Sequence, residues 1–116
     1  RSELVFFLKA YYTGQRNVYK DFAFWACPNL KDVEIGNGVK RIGWGAFCYC
    51  TSLTSITIPE NVTSINSNAF GYCNQLESIT FNGTKEQWNN IDKETGWDKN
   101  TGGYTIHCTD GDIAKN

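Results

Sequence analysis

The sequence predicts an α/β repeat fold: a short solenoid with a single parallel β-sheet, an irregular or short-helix outer side and a C-terminal cap. Three observations predict it. Apolar residues recur at a fixed period, as in the series Ile35, Ile58 and Phe81. Each repeat contains one short run in which apolar and polar residues alternate. The C-terminal part of the chain departs from this pattern. Self-similarity at such a period is typical of solenoids, because one repeat can bury its apolar face only against the next.

The clearest repeat begins at Leu53. Its apolar positions, with the first of the following repeat, are Leu53, Ile56, Ile58, Val62, Ile65, Ala69, Phe70, Cys73 and Leu76. The pattern also stands one period earlier, from Leu30 to Cys50, and its second half stands earlier still, from Tyr19 to Cys27. We therefore expect one domain made of a first strand with a partial repeat (1–29), two full repeats (30–52 and 53–75) and a closing segment (76–116).

Each repeat is expected to contribute one strand. In the run SITI, Ile56 and Ile58 alternate with Ser55 and Thr57, so one face of the strand is apolar and the other is polar. Pro59 has no backbone N–H to donate to a neighbouring strand, and it ends the run. Stacking the repeats places these strands side by side and parallel, about 4.8 Å apart. The predicted strands are 30–35, 53–58, 76–81 and 104–108.

The dense apolar run LVFFLKAYY, residues 4–12, predicts a first strand. Residues 13–17 then form a turn. Shifting the repeat back gives this strand the inward positions Phe7, Ala10 and Tyr12 and the outward positions Lys9 and Tyr11. Apolar residues on both of its faces leave two interpretations open. Either a preceding repeat covers the strand in a longer protein, or its apolar edge mediates self-association.

The segment after Phe81 replaces the repeat with a cap. Thr84 and, three residues on, Gln87 fit a capping box, so a short helix is expected from Lys85 to about Asn90. Trp88 and Ile91 fall on its buried side. A polar loop follows over residues 93–103, pinned by Trp97, before the last strand. A solenoid needs such a cap because a bare last repeat would expose its core to water.

Composition excludes several classes of function. Eleven basic and twelve acidic residues leave the net charge near zero, which gives no indication of nucleic-acid binding. No segment is long and apolar enough for membrane insertion, and no signal peptide is recognisable. Because the sequence opens abruptly at Arg1-Ser2, we expect a fragment whose export signal and upstream repeats lie outside it.

The five cysteines are interpreted as packing residues. Cys27, Cys50 and Cys73 stand at the same repeat position, so we expect a buried, reduced column with one small side chain per turn. Spacing alone does not exclude a disulfide between neighbours in such a column. Cys48 and Cys50 form C-x-C, but with one histidine in the chain the ligands for a metal site are too few. We predict no metal and no cofactor.

The aromatic residues Trp25, Trp44, Tyr49 and Tyr72 are assigned to the outer surface. The segments that carry most of them, 44–49 and 67–72, are expected to form short turns or single-turn helices. Exposed aromatic rings in a row could stack on sugars. Such residues more often pack over the neighbouring turns of the solenoid, which is the interpretation we favour, with sugar stacking as the alternative.

One string in the repeat, I-P-x-x-V-x-x-I-x-x-x-A-F-x-x-C-x-x-L, resembles the BspA-like type of leucine-rich repeat, which is found on surface proteins of bacteria and some protozoa. The resemblance covers residues 23–81, and the closing strings GTKEQWNNI, GW and YTIHCTDG extend it. The segment 1–18 matches weakly, and Gly36 stands in the second unit where Pro59 stands in the third. The resemblance implies a leucine-rich-repeat solenoid at the cell surface or secreted, acting in adhesion through protein binding.

We found no catalytic motif. His107 stands next to Cys108, but adjacent strand residues point to opposite faces, so the two cannot form a pair. The expected function is therefore non-enzymatic protein binding on the polar face of the sheet, with two alternatives, carbohydrate binding by the outer aromatic residues and a purely structural spacer. The candidate binding residues on the sheet are Asp32, Glu34, Ser55, Thr57, Ser78, Thr80, Thr105 and His107.

Overall fold

The computed structural model describes the backbone of residues 7–10, 18 and 19 and, in full, residues 21–115. Within these ranges the strands are β1 (Phe7–Ala10), β2 (Val18–Tyr19), β3 (Asp32–Ile35), β4 (Arg41–Ile42), β5 (Ser55–Ile58), β6 (Ser64–Ile65), β7 (Ser78–Phe81), β8 (Asp92–Lys93), β9 (Thr105–Cys108) and β10 (Gly111–Ala114). One helix, α1 (Lys85–Asn89), lies between β7 and β8.

The larger sheet has the order β1-β3-β5-β7-β9-β10. Its first five strands are parallel, and each lies beside the strand of the next turn. This confirms the predicted solenoid and its parallel sheet. The alternation in the sequence is the cause, because β3, β5 and β7 each place every second side chain in the core and the others towards solvent.

A second sheet with the order β2-β4-β6-β8 runs along the solenoid beside the first. Its strands are parallel and only two residues long. The prediction of a single sheet was therefore incomplete. Two residues are too few for a period of two to appear in the sequence, although Ile42 and Ile65 already stood among the inward repeat positions.

The outer segments 44–49 and 67–72 were expected to form short turns or single-turn helices, and both form turns. Their backbones bond across turns of the solenoid, with Phe47 N–H donating to Ala69 O at 2.7 Å and Tyr49 N–H donating to Gly71 O at 2.8 Å. Tyr49 and Tyr72 both have a φ of 62°, in the left-handed region. The left-handed conformation thus recurs one repeat later at the same position, together with a cross-turn hydrogen bond from the same N–H.

The core is built of columns in which equivalent side chains lie over one another. Phe24, Phe47 and Phe70 form one column, with parallel rings 5.1 and 5.5 Å apart between centroids. Trp97 closes this column by contacting Phe70 edge to face at 6.2 Å. Phe47 and Phe70 are fully buried. A cap residue thus replaces the ring that a further repeat would have supplied.

Cys27, Cys50 and Cys73 form such a column as well, and all five cysteines of the chain are free thiols. Cys50 Sγ donates to Phe24 O at 3.2 Å, and Cys73 Sγ donates to Phe47 O at 3.0 Å, one turn further on. Interaction with the neighbouring Cys50 thiol and burial together raise the pKa of the Cys73 thiol. Cys27 differs from the prediction because it is only partly buried, at the N-terminal end of the column.

The register of β1 corrects the sequence-based placement of the first strand. Ala10 pairs with Ile35, and Phe7 holds the register position beside Asp32, two residues away from the predicted register. The first turn is therefore longer than the later ones, because seven residues separate β1 from β2 whereas five separate β3 from β4. Tyr11, Tyr12 and the predicted turn at 13–17 lie outside the described residues.

The cap continues the solenoid for one more turn. The predicted helix is present, and its Thr84–Gln87 capping box is complete. The predicted loop after it is more ordered than expected, because its first residue, Lys93, belongs to β8 and its backbone extends the cross-turn ladder. Phe70 N–H donates to Trp97 O at 2.9 Å, and Tyr72 N–H donates to Lys99 O at 2.7 Å.

Lys93 and Tyr104 are two polar side chains that make hydrogen bonds within the cap. Lys93 stands beside Ile65 at the end of an apolar column, and its Nζ donates to the carbonyls of Trp88 and Ile91 at 2.8 and 3.2 Å. The Tyr104 hydroxyl donates a hydrogen bond to Asp98 Oδ2 at 2.6 Å. Burial and this hydrogen bond raise the pKa of Tyr104, so its hydroxyl keeps its proton at high pH.

The ring column predicts how stability responds to truncation. Phe70→Ala should lower the free energy of unfolding by about 3–5 kcal/mol, because it empties a fully buried site. Phe22→Ala is the matched control: Phe22 is 51% exposed, and its loss should cost less than about 1.5 kcal/mol. Urea denaturation of both variants measures the difference, and equal losses would contradict the columnar core.

The thiols should react in two classes. Cys48, Cys50 and Cys73 are fully buried, whereas Cys27 and Cys108 are partly exposed. A thiol reagent added to the native protein should label Cys27 and Cys108 first, since the other three require local opening of the fold. Mass spectrometry of digested samples assigns each site. Early labelling of Cys50 would show that the column is open to water.

Tyr104 should make stability depend on alkaline pH. Its pKa is raised in the folded state, so its contribution is complete below the ordinary tyrosine value of about 10 and is lost as the pH rises above that value. Tyr104→Phe should cost about 1 kcal/mol at neutral pH through the lost hydrogen bond, yet flatten the decline of stability above that pH. Denaturation curves at several pH values test this, and an unchanged slope contradicts it.

Candidate functional site

All eight candidate residues lie on one face of the larger sheet, in two rows that cross its strands. We call this surface the polar strip. The first row is Asp32, Ser55, Ser78 and Thr105, and the second row is Glu34, Thr57, Thr80 and His107. The residues between them on each strand point into the core. Seven strip residues are half-buried and His107 is exposed, so ligand atoms have access to every position.

The chemistry of the polar strip changes along the solenoid. Asp32 and Glu34 make the N-terminal end acidic, and serine and threonine hydroxyls occupy the middle. Ser55 Oγ donates to Asp32 Oδ1 at 2.7 Å, which bridges two turns. Within the fully described part of the chain, the hydroxyls of Thr57, Ser78, Thr80 and Thr105 have no protein hydrogen-bond partner. These hydroxyls are therefore free to bond to a ligand or to water.

The far end of the strip contains a residue that the sequence analysis missed. Asp112 of β10 lies beside His107, and its Oδ1 is 3.0 Å from His107 Nδ1. β10 pairs antiparallel with β9 through the two-residue turn Thr109-Asp110, and Gly111 is the first residue of β10. Asp110 and Gly111, followed by a short alternating run, were an available signal for a hairpin in the sequence. Cys108 packs against the core on the other face, as the alternation predicted.

The four predicted outer residues lie together with a fifth ring, and we call Phe22, Trp25, Trp44, Tyr49 and Tyr72 the outer aromatic cluster. Tyr49 and Tyr72 are stacked at 4.6 Å, so each covers one face of the other. Trp25 and Trp44 are nearly parallel at 6.4 Å, and Phe22 contacts both edge to face at 5.1 and 5.0 Å. The repeat could not reveal Phe22, because Gly45 and Asn68 hold its position in the next two turns.

The outer aromatic cluster is the most exposed apolar surface in the fully described part of the chain. The exposed fractions are 51% for Phe22, 39% for Trp25, 36% for Trp44 and 42% for Tyr49. Polar groups adjoin it. Asp21 Oδ1 accepts from Trp44 N–H at 2.8 Å and lies 3.9 Å from Arg41 Nη1. The cluster combines packing between turns with a surface that a ligand could contact.

No group of three or more histidine, cysteine, aspartate or glutamate side chains converges on a possible metal position among the residues that the structure describes. In the same residues, α1 is the only helix, and its five residues fall far short of a membrane span.

Comparison with protein-family models agrees with the repeat pattern. The model of the family described as "BspA type Leucine rich repeat region (6 copies)" matches residues 17–95. Among solved structures, a leucine-rich cell surface protein from Faecalibacterium prausnitzii A2-165 is 24% identical, with a TM-score of 0.47. The similarity covers 76% of this chain and 35% of that protein's chain. A comparison with curated proteins found no match.

Proposed function

The chain belongs to the BspA type leucine-rich repeat family, as the sequence predicted, and from this premise we propose that it is a non-enzymatic module that binds proteins through the polar strip. The proposed setting is the cell surface or the extracellular space, with adhesion to host or neighbouring cells as the role. No step of catalysis is assigned to its residues.

The hydroxyl groups of the strip are the observation that carries this proposal. Thr57, Ser78, Thr80 and Thr105 lie in adjacent rows on three parallel strands, and no group of the fully described chain engages their hydroxyls. Equivalent positions repeat at the sheet spacing of about 4.8 Å. Short side chains let the backbone of an approaching partner come close to the sheet and accept or donate hydrogen bonds. Because the strip is part of a sheet, its groups are held rigidly before binding.

Such a surface favours weak contacts that gain strength from repetition. Tyrosine, tryptophan and arginine dominate the energetic centres of tight interfaces, and the eight strip residues include none of them. Each copy of the module would therefore contribute little affinity by itself. Several copies presented together on one surface would bind far more tightly through high local concentration.

Carbohydrate binding by the outer aromatic cluster is the second candidate function. The exposure of Phe22, Trp25 and Trp44 beside the polar Asp21 and Arg41 favours it. The mutual stacking of Tyr49 and Tyr72 opposes it, because sugars stack on ring faces and one face of each ring is already covered. A purely structural spacer, the third possibility, would use neither surface.

Two double variants distinguish these functions. Thr57→Lys with Thr80→Lys places long charged side chains in the middle of the strip, and Trp44→Ala with Tyr72→Ala truncates the outer aromatic cluster. Beads that display the full chain should bind to layers of epithelial cells and of bacteria. We expect roughly a tenfold loss of bead adhesion for the threonine variant alone, since losing hydrogen bonds worth about 1 kcal/mol each weakens every contact.

Thermal unfolding of both variants serves as the control for an intact fold. Loss of adhesion in the aromatic variant alone would assign the function to the outer aromatic cluster. Equal adhesion of both variants and the wild type, or no adhesion above that of uncoated beads, would favour the spacer and contradict the proposal.

A further inference from the structure

A cleft of about 410 Å³ opens at the C-terminal end of the solenoid, away from both surfaces described above. We call it the cap cleft. It lies where α1, the loop after β8 and the β9–β10 hairpin meet, and its lining includes Trp88, Asn89, Trp97, Asp98, Tyr104 and Lys115. Its volume is at the lower end of the range for small-molecule sites, roughly 300–1,000 Å³.

Aromatic rings form the apolar part of the cap cleft. Trp88 and Trp97 meet at 5.8 Å with planes inclined by 64°, and Trp97 and Tyr104 meet at 6.0 Å with planes inclined by 56°. Trp88 and Tyr104 are buried, at 3% and 4% exposure, whereas Trp97 is partly exposed. Of these three rings, Trp97 is therefore the one with solvent-accessible surface in the cleft.

Three polar side chains border this apolar wall. Asp98 uses Oδ2 to accept from Tyr104, and its Oδ1 has no donor within the described chain. The Asn89 side chain is exposed and likewise has no partner in the described residues. Lys115 is held in place, since its Nζ donates to Thr101 Oγ1 and to Gly102 O at 3.2 Å. An acceptor, an amide and an ammonium group thus face one small space.

We propose that the cap cleft binds one neutral sugar ring. The Lys115 ammonium, 5.4 Å from the centre of the Tyr104 ring, disfavours a cationic ligand, and the Asp98 carboxylate disfavours an anionic one. A pyranose satisfies both constraints, because it offers an apolar C–H face to Trp97 and hydroxyls that donate to Asp98 and bond to Asn89. This site goes beyond protein binding by the strip and shares none of its eight residues.

Nuclear magnetic resonance of the full chain tests this proposal through the indole N–H signals of its four tryptophans. Trp88 and Trp97 report on the cap cleft, and Trp25 and Trp44 report on the outer aromatic cluster. The probes are glucose, galactose, mannose and N-acetylglucosamine, each titrated to about 50 mM, a range suited to millimolar dissociation constants. At least one sugar should shift the Trp97 signal in a saturable manner and leave Trp25 and Trp44 unchanged. Tetramethylammonium and acetate should leave the Trp97 signal unchanged.

Two matched double variants separate a specific site from a general effect. Asn89→Ala with Asp98→Asn keeps an acceptor for Tyr104 but removes two groups that face the ligand, and should weaken sugar binding roughly tenfold. Asn74→Ala with Asp92→Asn makes the same chemical changes at exposed positions outside the cleft, and should leave binding unchanged.

Four results would overturn the proposal. They are the absence of any sugar-dependent shift in the wild type, equal weakening in the two double variants, tighter binding of either charged probe than of the sugars, and a shift confined to Trp25 and Trp44. The last result would move sugar binding to the outer aromatic cluster. The wild-type titration alone decides the matter if the cleft variant does not fold.

Discussion

The spacing between hydrogen-bonded strands governs this molecule. Parallel strands lie about 4.8 Å apart, so each turn of the chain must place its side chains directly over their equivalents in the turn before. A flat ring fits this spacing, which is why Phe24, Phe47 and Phe70 lie nearly parallel at 5.1 and 5.5 Å. A small thiol fits it too, and Cys50 and Cys73 each donate to a carbonyl of the preceding turn. The fixed period of the apolar residues in the sequence follows from this constraint.

The same constraint makes the C-terminal end of every column a problem that the cap must solve. Where another isoleucine would follow Ile65, Lys93 lies instead, and its ammonium bonds to the carbonyls of Trp88 and Ile91 while its alkyl chain covers the column. Burial lowers the pKa of Lys93, which is the electrostatic cost of placing an ammonium there. Trp97 covers the end of the phenylalanine column in the same way, through its edge-to-face contact with Phe70. The cap is therefore one more turn of the solenoid in which polar atoms and larger rings replace repeated apolar side chains.

The sequence was sufficient to predict the structure wherever equivalent residues repeat, and it was insufficient where they do not. Alternation in three successive strands predicted the sheet and brought together all eight strip residues, because their rows follow directly from the period. The second sheet was missed because two residues cannot display alternation. The register of β1 was wrong by two residues because the connection after it is longer than in the later turns. Phe22, Asp112 and the cap cleft have no counterpart in the repeats, so no periodic argument could place them.

The difference between repeated and non-repeated positions affects where on the molecule a selective binding site can form. Repetition yields a strip whose middle positions are all serine or threonine, and such a surface distinguishes poorly between partners but suits many weak contacts. Repetition also stacks equivalent aromatic rings so that their faces cover each other, as in Tyr49 and Tyr72. Only where the period breaks do non-equivalent segments meet, and there Trp97, Asp98 and Lys115 surround one concave space. In a solenoid of this kind, the capping turn is thus the place at which evolution can assemble a discriminating site without disturbing the stacked columns.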